Sequence, residues 1–445
     1  MIQDAFEEAL ERIKDAKKGI VAPSIFFKNQ NTGIPLSLNK RMRLGNGTYM
    51  VVTGPPGTGK TSLVDSEFVM NPILDCIIDP ATYANIYCIY RSMEKPIINK
   101  VTKFIAYMLY LATEGQVILD TATLLGYHNK KRDLTDEDIA LISELRGHIN
   151  EIAKHLDLVS GPDTPEGVKQ YILKTLYRLG TYIQSDLEHV YINGKKTEKT
   201  FDLTDEYGRP YCLLRGKTGK EIKVGHMFNQ FIPTDPKMII EHVTDTTNKI
   251  RKPKGSSVLD TSNDYTFIIS EFVEHRAICA IDINQFGKES EKDLKGKSGN
   301  SLSVGLSDIK GSGDFMQNAQ IGLSILDPTY LGISRWGGDP GGRWPDIEVD
   351  RFHGTLRILQ IFKNSDGQSM YKMPCVMLGE MGYFQEIPNP REITEKDYTD
   401  INNTILRHLN PSAHNQPIQM EAFQLPDNMI IKKRPKTGGK EQAPF

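Results

Sequence analysis

Little in this chain points outside a cell or into a membrane. Its 445 residues hold only five cysteines: Cys76, Cys88, Cys212, Cys279 and Cys375. The number is odd, the spacing is scattered and no C-x-x-C occurs, so neither a disulfide framework nor a zinc site is indicated. Such usage fits a reducing cytoplasm. No apolar run approaches the roughly 20 residues that span a bilayer, and no membrane contact is expected. The start, Met1-Ile2-Gln3-Asp4, lacks the basic-then-apolar layout of a secretory signal. Net charge is nearly absent too, because 54 basic and 56 acidic residues leave −2. Contact with a polyanion must therefore come from local basic patches, not from a global field. What is there, 39% apolar and 25% charged residues, suits a globular chain with a real core. The length allows one large domain with insertions or two ordinary ones.

One stretch organises the rest. Gly54-Pro55-Pro56-Gly57-Thr58-Gly59-Lys60-Thr61, followed by Ser62, fits G-x-x-x-x-G-K-[ST], the phosphate-binding loop. A β-branched, apolar strand candidate, residues 48–53, precedes it, and residues 62–68 read as a helix. That strand–loop–helix context turns a short pattern into a site. The glycines let backbone N–H groups surround phosphate oxygens, and the helix start adds its positive dipole end. Lys60 is placed to reach the β- and γ-phosphates, and the Thr61 hydroxyl to help hold Mg²⁺.

Around this unit, strands alternate with helices. Ile2, Phe6, Leu10 and Ile13 form one face of an amphipathic helix, either packed on its own domain or reaching a neighbouring subunit. Residues 84–90 read as a buried strand, with a helix beginning near Pro96. Residues 115–150 read as a helical insertion in which Thr135 and Asp138 resemble a capping box. A strand at 156–160 leads into a helix from about Thr164 to Tyr182. Residues 190–231 read as a small β-rich insertion, with Asn193-Gly194 as a hairpin pair. A strand at 238–242 ends in Glu241 and His242, a helix covers 260–275, and a strand covers 277–284. Residues 286–303 read as a long polar loop. Strands at 321–326, 355–362 and 371–378 follow, and the chain after about 390 reads as a polar, basic tail. The order argues for an α/β fold with a mainly parallel sheet and helices on both faces.

A hydrolysing site needs a second carboxylate near Mg²⁺, a group that activates water, and a sensor of the γ-phosphate. In a parallel sheet these sit at carboxyl ends of strands. Glu241, Glu94 and Gln285 are the candidates for those roles. Here the chain resembles the hexameric DnaB-like replicative helicases, over roughly residues 33–380 with both insertions unmatched. Five stretches carry the resemblance: the loop Gly54 to Thr61; Ser92-Met93-Glu94; Ile239-Ile240-Glu241-His242; Ile281 to Phe286, with Gln285; and the run from Leu306 to Ala319 that opens Leu306-Ser307-Asp308. The resemblance implies a RecA-like motor at 31–390, with an arm at 1–30 and a tail at 391–445. It implies a ring, a homo-hexamer, that hydrolyses ATP with Mg²⁺. Glu94 would be the base, Lys60, Thr61 and Glu241 would hold phosphates and metal, and Gln285 would sense the γ-phosphate. The phosphate loop begins by residue 54, so the expectation is a motor alone, of phage type, working with a primase, polymerase or loader.

Two departures stand out. Glu241 occupies a position usually held by aspartate. The arginine that would reach the next subunit's γ-phosphate is best matched by Lys363, a point charge without a bidentate fork, with Arg351 and Arg357 as alternatives. Two basic stretches fit loops that grip single-stranded DNA: Lys249, Arg251, Lys252 and Lys254, and then Lys288, Lys292, Lys295 and Lys297. Lysines suit phosphate contacts that position a strand without reading sequence. No aromatic ladder accompanies them, so base stacking is not implied. The implied activity is 5′-to-3′ unwinding of duplex DNA. The alternatives are a RecA/KaiC-like regulatory or recombination ATPase that does not unwind, and a ring component whose hydrolysis is silent.

Overall fold

The computed structural model describes residues 10, 14, 17, 23–28, 33–113, 115–127, 132–215, 221–286, 288–295, 297, 299–305, 308, 313–339, 343, 345–365 and 367–409. Most of the amphipathic stretch at 2–18 and the basic run at 432–436 lie outside the described residues. Among those described, nine strands form the central sheet: β1 (Tyr49–Thr53), β2 (Asn85–Ser92), β3 (Leu156–Ser160), β4 (Met238–Thr244), β5 (Cys279–Ile283), β6 (Ile321–Leu326), β7 (Leu356–Asn364), β8 (Tyr371–Leu378) and β9 (Tyr383–Glu386). Their order across the sheet is β9-β8-β7-β6-β1-β5-β4-β2-β3. β1 runs parallel to both neighbours, with Val51 opposite Asp282 on β5 and Gly322 on β6. Parallel pairing continues through β4, β2 and β3. β7, β8 and β9 join antiparallel.

Every residue of β1, β4, β5 and β6 is buried. Strands sealed on both faces are what a parallel sheet covered by crossover helices demands, and their apolar, β-branched sequences meet that demand. The result is the expected α/β architecture, with the carboxyl ends of β1, β2, β4 and β5 along one edge. Helix α1 runs over residues 60–78 after β1, and its middle, Val64–Met70, is wound as a π-helix. α2 (Ile97–Ala112), α3 (Pro165–Leu179) and α4 (Val258–Glu274) follow β2, β3 and β4. Between α2 and β3, Thr135 and Asp138 cap the helix Asp136–Glu144 reciprocally.

Four readings need correction. The helix expected through Tyr182 stops at Leu179, because Gly180 turns extended and Gly180–Ser185 pairs with Asn229–Pro233. Two small sheets thus occupy residues 180–233 around their own core of Ile183, Val190, Cys212, Leu214 and Val224. The strand expected to end at Glu241 and His242 continues through Thr244. The polar loop after β5 contains helix α5 (Lys288–Lys295), which buries Leu294 and carries a Glu291–Lys295 pair one turn apart at 3.3 Å. Short helix α6 (Gly313–Asn318) precedes β6. The tail begins with helix α7 (Glu395–Leu409) rather than a polar coil. Its average polarity hides a stripe of Tyr398, Ile401, Ile405 and His408, all buried, while Thr394 and Asp397 cap its start.

Beneath the phosphate loop, Asp282 is fully buried on β5. The Tyr49 hydroxyl donates to its Oδ2 at 2.6 Å and the Tyr265 hydroxyl to its Oδ1 at 2.8 Å. Burial outweighs these bonds and raises its pKa from 3.8 to about 7. The native state keeps a proton that the unfolded chain releases, so stability falls as pH rises across that interval. The shift corresponds to about 4 kcal/mol lost by its upper end. Asp282→Asn keeps the shape and can donate its amide to Tyr265. Its denaturant midpoint should exceed that of the unmodified chain at pH 8 and lose the advantage at pH 4. Parallel midpoints across that range would refute the assignment.

Candidate active site

The loop after β1 closes as tightly as its glycines permit. Gly54 has φ 156°, and a Cβ there would lie 2.3 Å from the Ile325 carbonyl oxygen. Gly59, with φ 97°, caps α1, and a Cβ there would meet the Met377 side chain at 2.8 Å. The Thr58 hydroxyl donates to the Pro55 carbonyl at 2.9 Å. Lys60 Nζ donates to the carbonyls of Gly54 at 2.9 Å and Pro55 at 2.7 Å. Lys60 is only 7% exposed, and burial draws its pKa down to about 8 against the pull of Glu291 and Glu94. Arg357, on β7, braces the loop from within the same chain. Its Nε donates to the Thr58 carbonyl at 3.0 Å, Nη1 to those of Gly354 and Leu356, and Nη2 pairs with Asp327 at 3.1 Å.

A cavity of 340 Å³ opens on one side of the loop and brings together Lys60, Thr61, Glu94, Asp245 and Gln285. These come from the ends of β1, β2, β4 and β5, as the parallel topology dictates. Glu94 is exposed in the cavity wall, where the Thr246 hydroxyl donates to its Oε2 at 3.5 Å. A second cavity of 650 Å³ lies on the other side, walled by Thr58, Thr61, Asn99, Tyr127, Arg357 and Met377 among others. Ser62 ties the loop to the far side of this cavity, its hydroxyl donating to the Gly379 carbonyl at 2.9 Å.

Glu241 does not reach either cavity. It lies mid-strand, fully buried, opposite Cys88 on β2 and Cys279 on β5. Burial holds its carboxyl well above the usual carboxylate range, which favours the neutral acid there. The carboxylate at the end of β4 is Asp245. The Met93 amide donates to its Oδ1 at 2.7 Å and the Ser92 hydroxyl to its Oδ2 at 3.0 Å. The legible signal was Val243-Thr244, two β-branched residues that carry the strand past His242.

The other assigned residues divide. Lys363 lies on β7, and its ammonium donates to the carbonyls of Met316 and Gln317 on α6. Arg351 makes a bidentate pair with Glu395 at 2.9 and 2.8 Å and lies 3.7 Å over the Tyr398 ring, which pins α7. Lys249, Arg251, Lys252 and Lys254 are exposed after β4. Lys292 is exposed on α5, whereas Lys295 sits over the Tyr330 ring at 4.2 Å and Lys297 donates to the Ser303 carbonyl at 3.4 Å. The Lys288 side chain lies outside what is described. So do Leu306, Ser307 and residues 309–312 of the run that carried the most specific resemblance.

No family model matches the chain, and no curated protein matches it in sequence. Solved structures do match. A DnaB-like replicative helicase, in a structure concerned with its interactions with primase, aligns at a TM-score of 0.52 and 13% identity. It covers 87% of this chain and 67% of its own. A second solved structure, of an ATPase domain, aligns at 0.52 and 12% identity, over 86% of this chain and 98% of its own. The chain has a DnaB-like helicase fold. A KaiC-like protein from Pyrococcus horikoshii aligns at only 0.34 and 10% identity, over 77% of this chain and 90% of that one, and distinguishes nothing.

A DnaB-like fold with this loop implies a Mg²⁺ ion, and the donors present fit one. Thr61 and Asp245 offer hard oxygens on the same cavity as Lys60. Among the described residues no cluster of three or more His, Cys, Asp or Glu could cage a metal alone. That suits Mg²⁺, which uses one or two protein oxygens with phosphates and water.

Two outcomes are expected. Asp245→Asn should weaken Mg²⁺ binding by ~100-fold, while Glu241→Gln should leave it within about threefold and raise the thermal midpoint near pH 7, since a neutral amide replaces an acid that resists ionising. The reverse ranking would restore Glu241 as the ligand. Phosphate binding should also push the Lys60 pKa back up from about 8. Nucleotide binding should then take up close to one proton near pH 9 and little at pH 7, read by calorimetry in buffers of different ionisation heat, and affinity should weaken as pH rises above 8.

Proposed function

We propose that this chain is the ATP-hydrolysing motor of a ring-shaped DNA helicase. The convergence of Lys60, Thr61, Glu94, Asp245 and Gln285 on one cavity of a DnaB-like fold carries this reading. The Lys60 ammonium exchanges the Gly54 and Pro55 carbonyls for β- and γ-phosphate oxygens, with the backbone of the loop around them. Thr61 and Asp245 would hold a Mg²⁺ ion, which would supply positive charge against the phosphates. Glu94 accepts the proton of the attacking water. The Gln285 amide donates to the γ-phosphate and loses that partner on hydrolysis. Gln285 stands just ahead of α5, and the exposed basic stretch 249–254 leaves the adjacent strand β4 at the same edge. Release of γ-phosphate can therefore be felt by both basic segments, whose lysines contact the phosphates of single-stranded DNA.

A homo-hexamer supplies the remaining positive charge, from Lys363 of the next subunit. Arg357 is engaged with its own phosphate loop and Arg351 with α7, which supports Lys363 for this role. Its ammonium must first leave the carbonyls of Met316 and Gln317, so hydrolysis is slow until subunits and DNA are engaged. A primase, polymerase or loader belongs with such a motor.

Strand displacement on a forked DNA with ATP and Mg²⁺ tests this reading. Unwinding should need a 5′ tail and vanish in Lys60→Ala. Glu94→Gln should keep nucleotide binding and lower hydrolysis by at least ~100-fold. DNA-stimulated hydrolysis without displacement, under any tail geometry, would favour a regulatory or recombination ATPase. A chain that hydrolyses nothing would overturn the motor.

A further inference from the structure

Behind the phosphate loop runs a line of alternating charge that, apart from Asp245 at its end, the reaction above leaves unused. Lys103 Nζ lies 2.7 Å from the Ser62 hydroxyl and 2.9 Å from Asp65 Oδ2. Lys100 Nζ lies 3.0 Å from Asp65 Oδ1 and 3.7 Å from Asp245 Oδ2. The Tyr90 hydroxyl donates to Asp65 Oδ1 at 2.7 Å and sits 2.5 Å from Lys100 Nζ. The side chains of Asp65, Lys100 and Asp245 are at most 3% exposed, and that of Lys103 is 14% exposed. Three segments of the site are thereby joined: α1 brings Asp65, α2 brings Lys100 and Lys103 one turn apart, and the end of β4 brings Asp245. Asp65 belongs to the π-wound stretch of α1, a local rewinding that is common where a helix serves a site.

Buried charges persist only as compensated sets, and here two ammonium groups alternate with two carboxylates. Lys100 is shared unequally, lying nearer Asp65 than Asp245. Asp245 already accepts from the Met93 amide and the Ser92 hydroxyl on its protein side. Its negative charge is therefore only partly cancelled where it faces the cavity with Thr61. If Lys100 closed fully on Asp245, it would compete with a divalent cation for the same oxygens.

We propose that Asp65 is a positioning residue that holds Lys100 off Asp245 and so keeps the Asp245 carboxylate open to the divalent cation. This rests on reading the cavity as a magnesium–nucleotide site. It makes the pair Asp65–Lys100 the control on metal affinity at a distance from the metal itself. Lys103 plays the opposing part, since it claims a share of Asp65 and at the same time fixes Ser62, the neighbour of Thr61.

The test is binding of a fluorescent, non-hydrolysable ATP analogue to the full chain, titrated with Mg²⁺, so that turnover is not the readout. Asp65→Asn should raise half-saturating Mg²⁺ by ~10-fold or more and leave binding in EDTA within about twofold. Removing the competitor as well, in Asp65→Asn with Lys100→Met, should bring the Mg²⁺ requirement back to within about threefold of the unmodified chain. Lys103→Met, at the edge of the 650 Å³ cavity, should lower the requirement, because Asp65 then holds Lys100 more closely. This variant decides the matter if Asp65→Asn does not fold. Unchanged Mg²⁺ dependence in Asp65→Asn, no recovery in the double variant, or a raised requirement in Lys103→Met would each overturn the proposal and leave the cluster a structural buttress. If binding by the unmodified chain ignored Mg²⁺ altogether, the nucleotide-site reading itself would fall, and this inference with it.

Discussion

Burial disfavours an ionised carboxyl group and cations beside it oppose that cost, a balance that sorts the buried acids here. Asp65 is fully buried, yet Lys100 and Lys103 outweigh the burial and hold its pKa at about 2. Asp282 has two tyrosine hydroxyls and no cation, and burial raises it to about 7. Glu67, on the same helix as Asp65, has the Asn71 amide at 3.1 Å and is pushed up to about 8 by burial. Glu241 has thiol-bearing neighbours and is raised well above the usual range. Charge is thus kept on Asp65, while burial raises Glu67 on the same helix, Asp282 and Glu241 in the sheet, and Asp245, whose nearest cation is Lys100 at 3.7 Å. The same rule lowers Lys60 toward neutrality before a phosphate arrives, because its own partners are carbonyls. A phosphate anion beside Lys60 would oppose that lowering.

The sheet explains why these groups meet. Parallel strands all end on one edge, so β1, β2, β4 and β5 deliver Lys60, Glu94, Asp245 and Gln285 to one place. The antiparallel extension has a different task. β7 and β8 bring Arg357 and Met377 to the other side of the loop, and the Gly379 carbonyl just beyond β8 receives the Ser62 hydroxyl. The phosphate loop is therefore clamped between the two halves of the sheet. Gly54 and Gly59 are required by that clamp as much as by phosphate, since a Cβ at either would strike β6 or β8.

Much of this was legible from local pattern. The strand–loop–helix read at 48–68, the position of β5 with Gln285 after it, Glu94 after β2 and the span of β6 follow from short-range signals that tertiary contacts did not override; that the helix continues to Ile78 was not read. The errors have a common physical origin. Reading β4 as ending at His242 treated polarity as exposure, but Glu241 and His242 are both fully buried. Reading the tail and the segment after β5 as coil treated average polarity as absence of structure, but a few apolar residues at helical spacing suffice to dock α7, and Leu294 is fully buried on α5.

The sequence by itself determined the class of fold and the phosphate loop, because both rest on periodicity and on glycines at fixed spacing, which are local properties. Only the tertiary structure decided which carboxylate faces the cavity, which arginines are already spent within the chain, and how Asp65, Lys100 and Lys103 combine. Those depend on which side chains share a buried volume. Asp65 and Asp245 are 180 positions apart along the chain, and one lysine lies between them in space. No spacing rule predicts such a contact, because it is the packing of α1 and α2 beside the sheet edge that creates it.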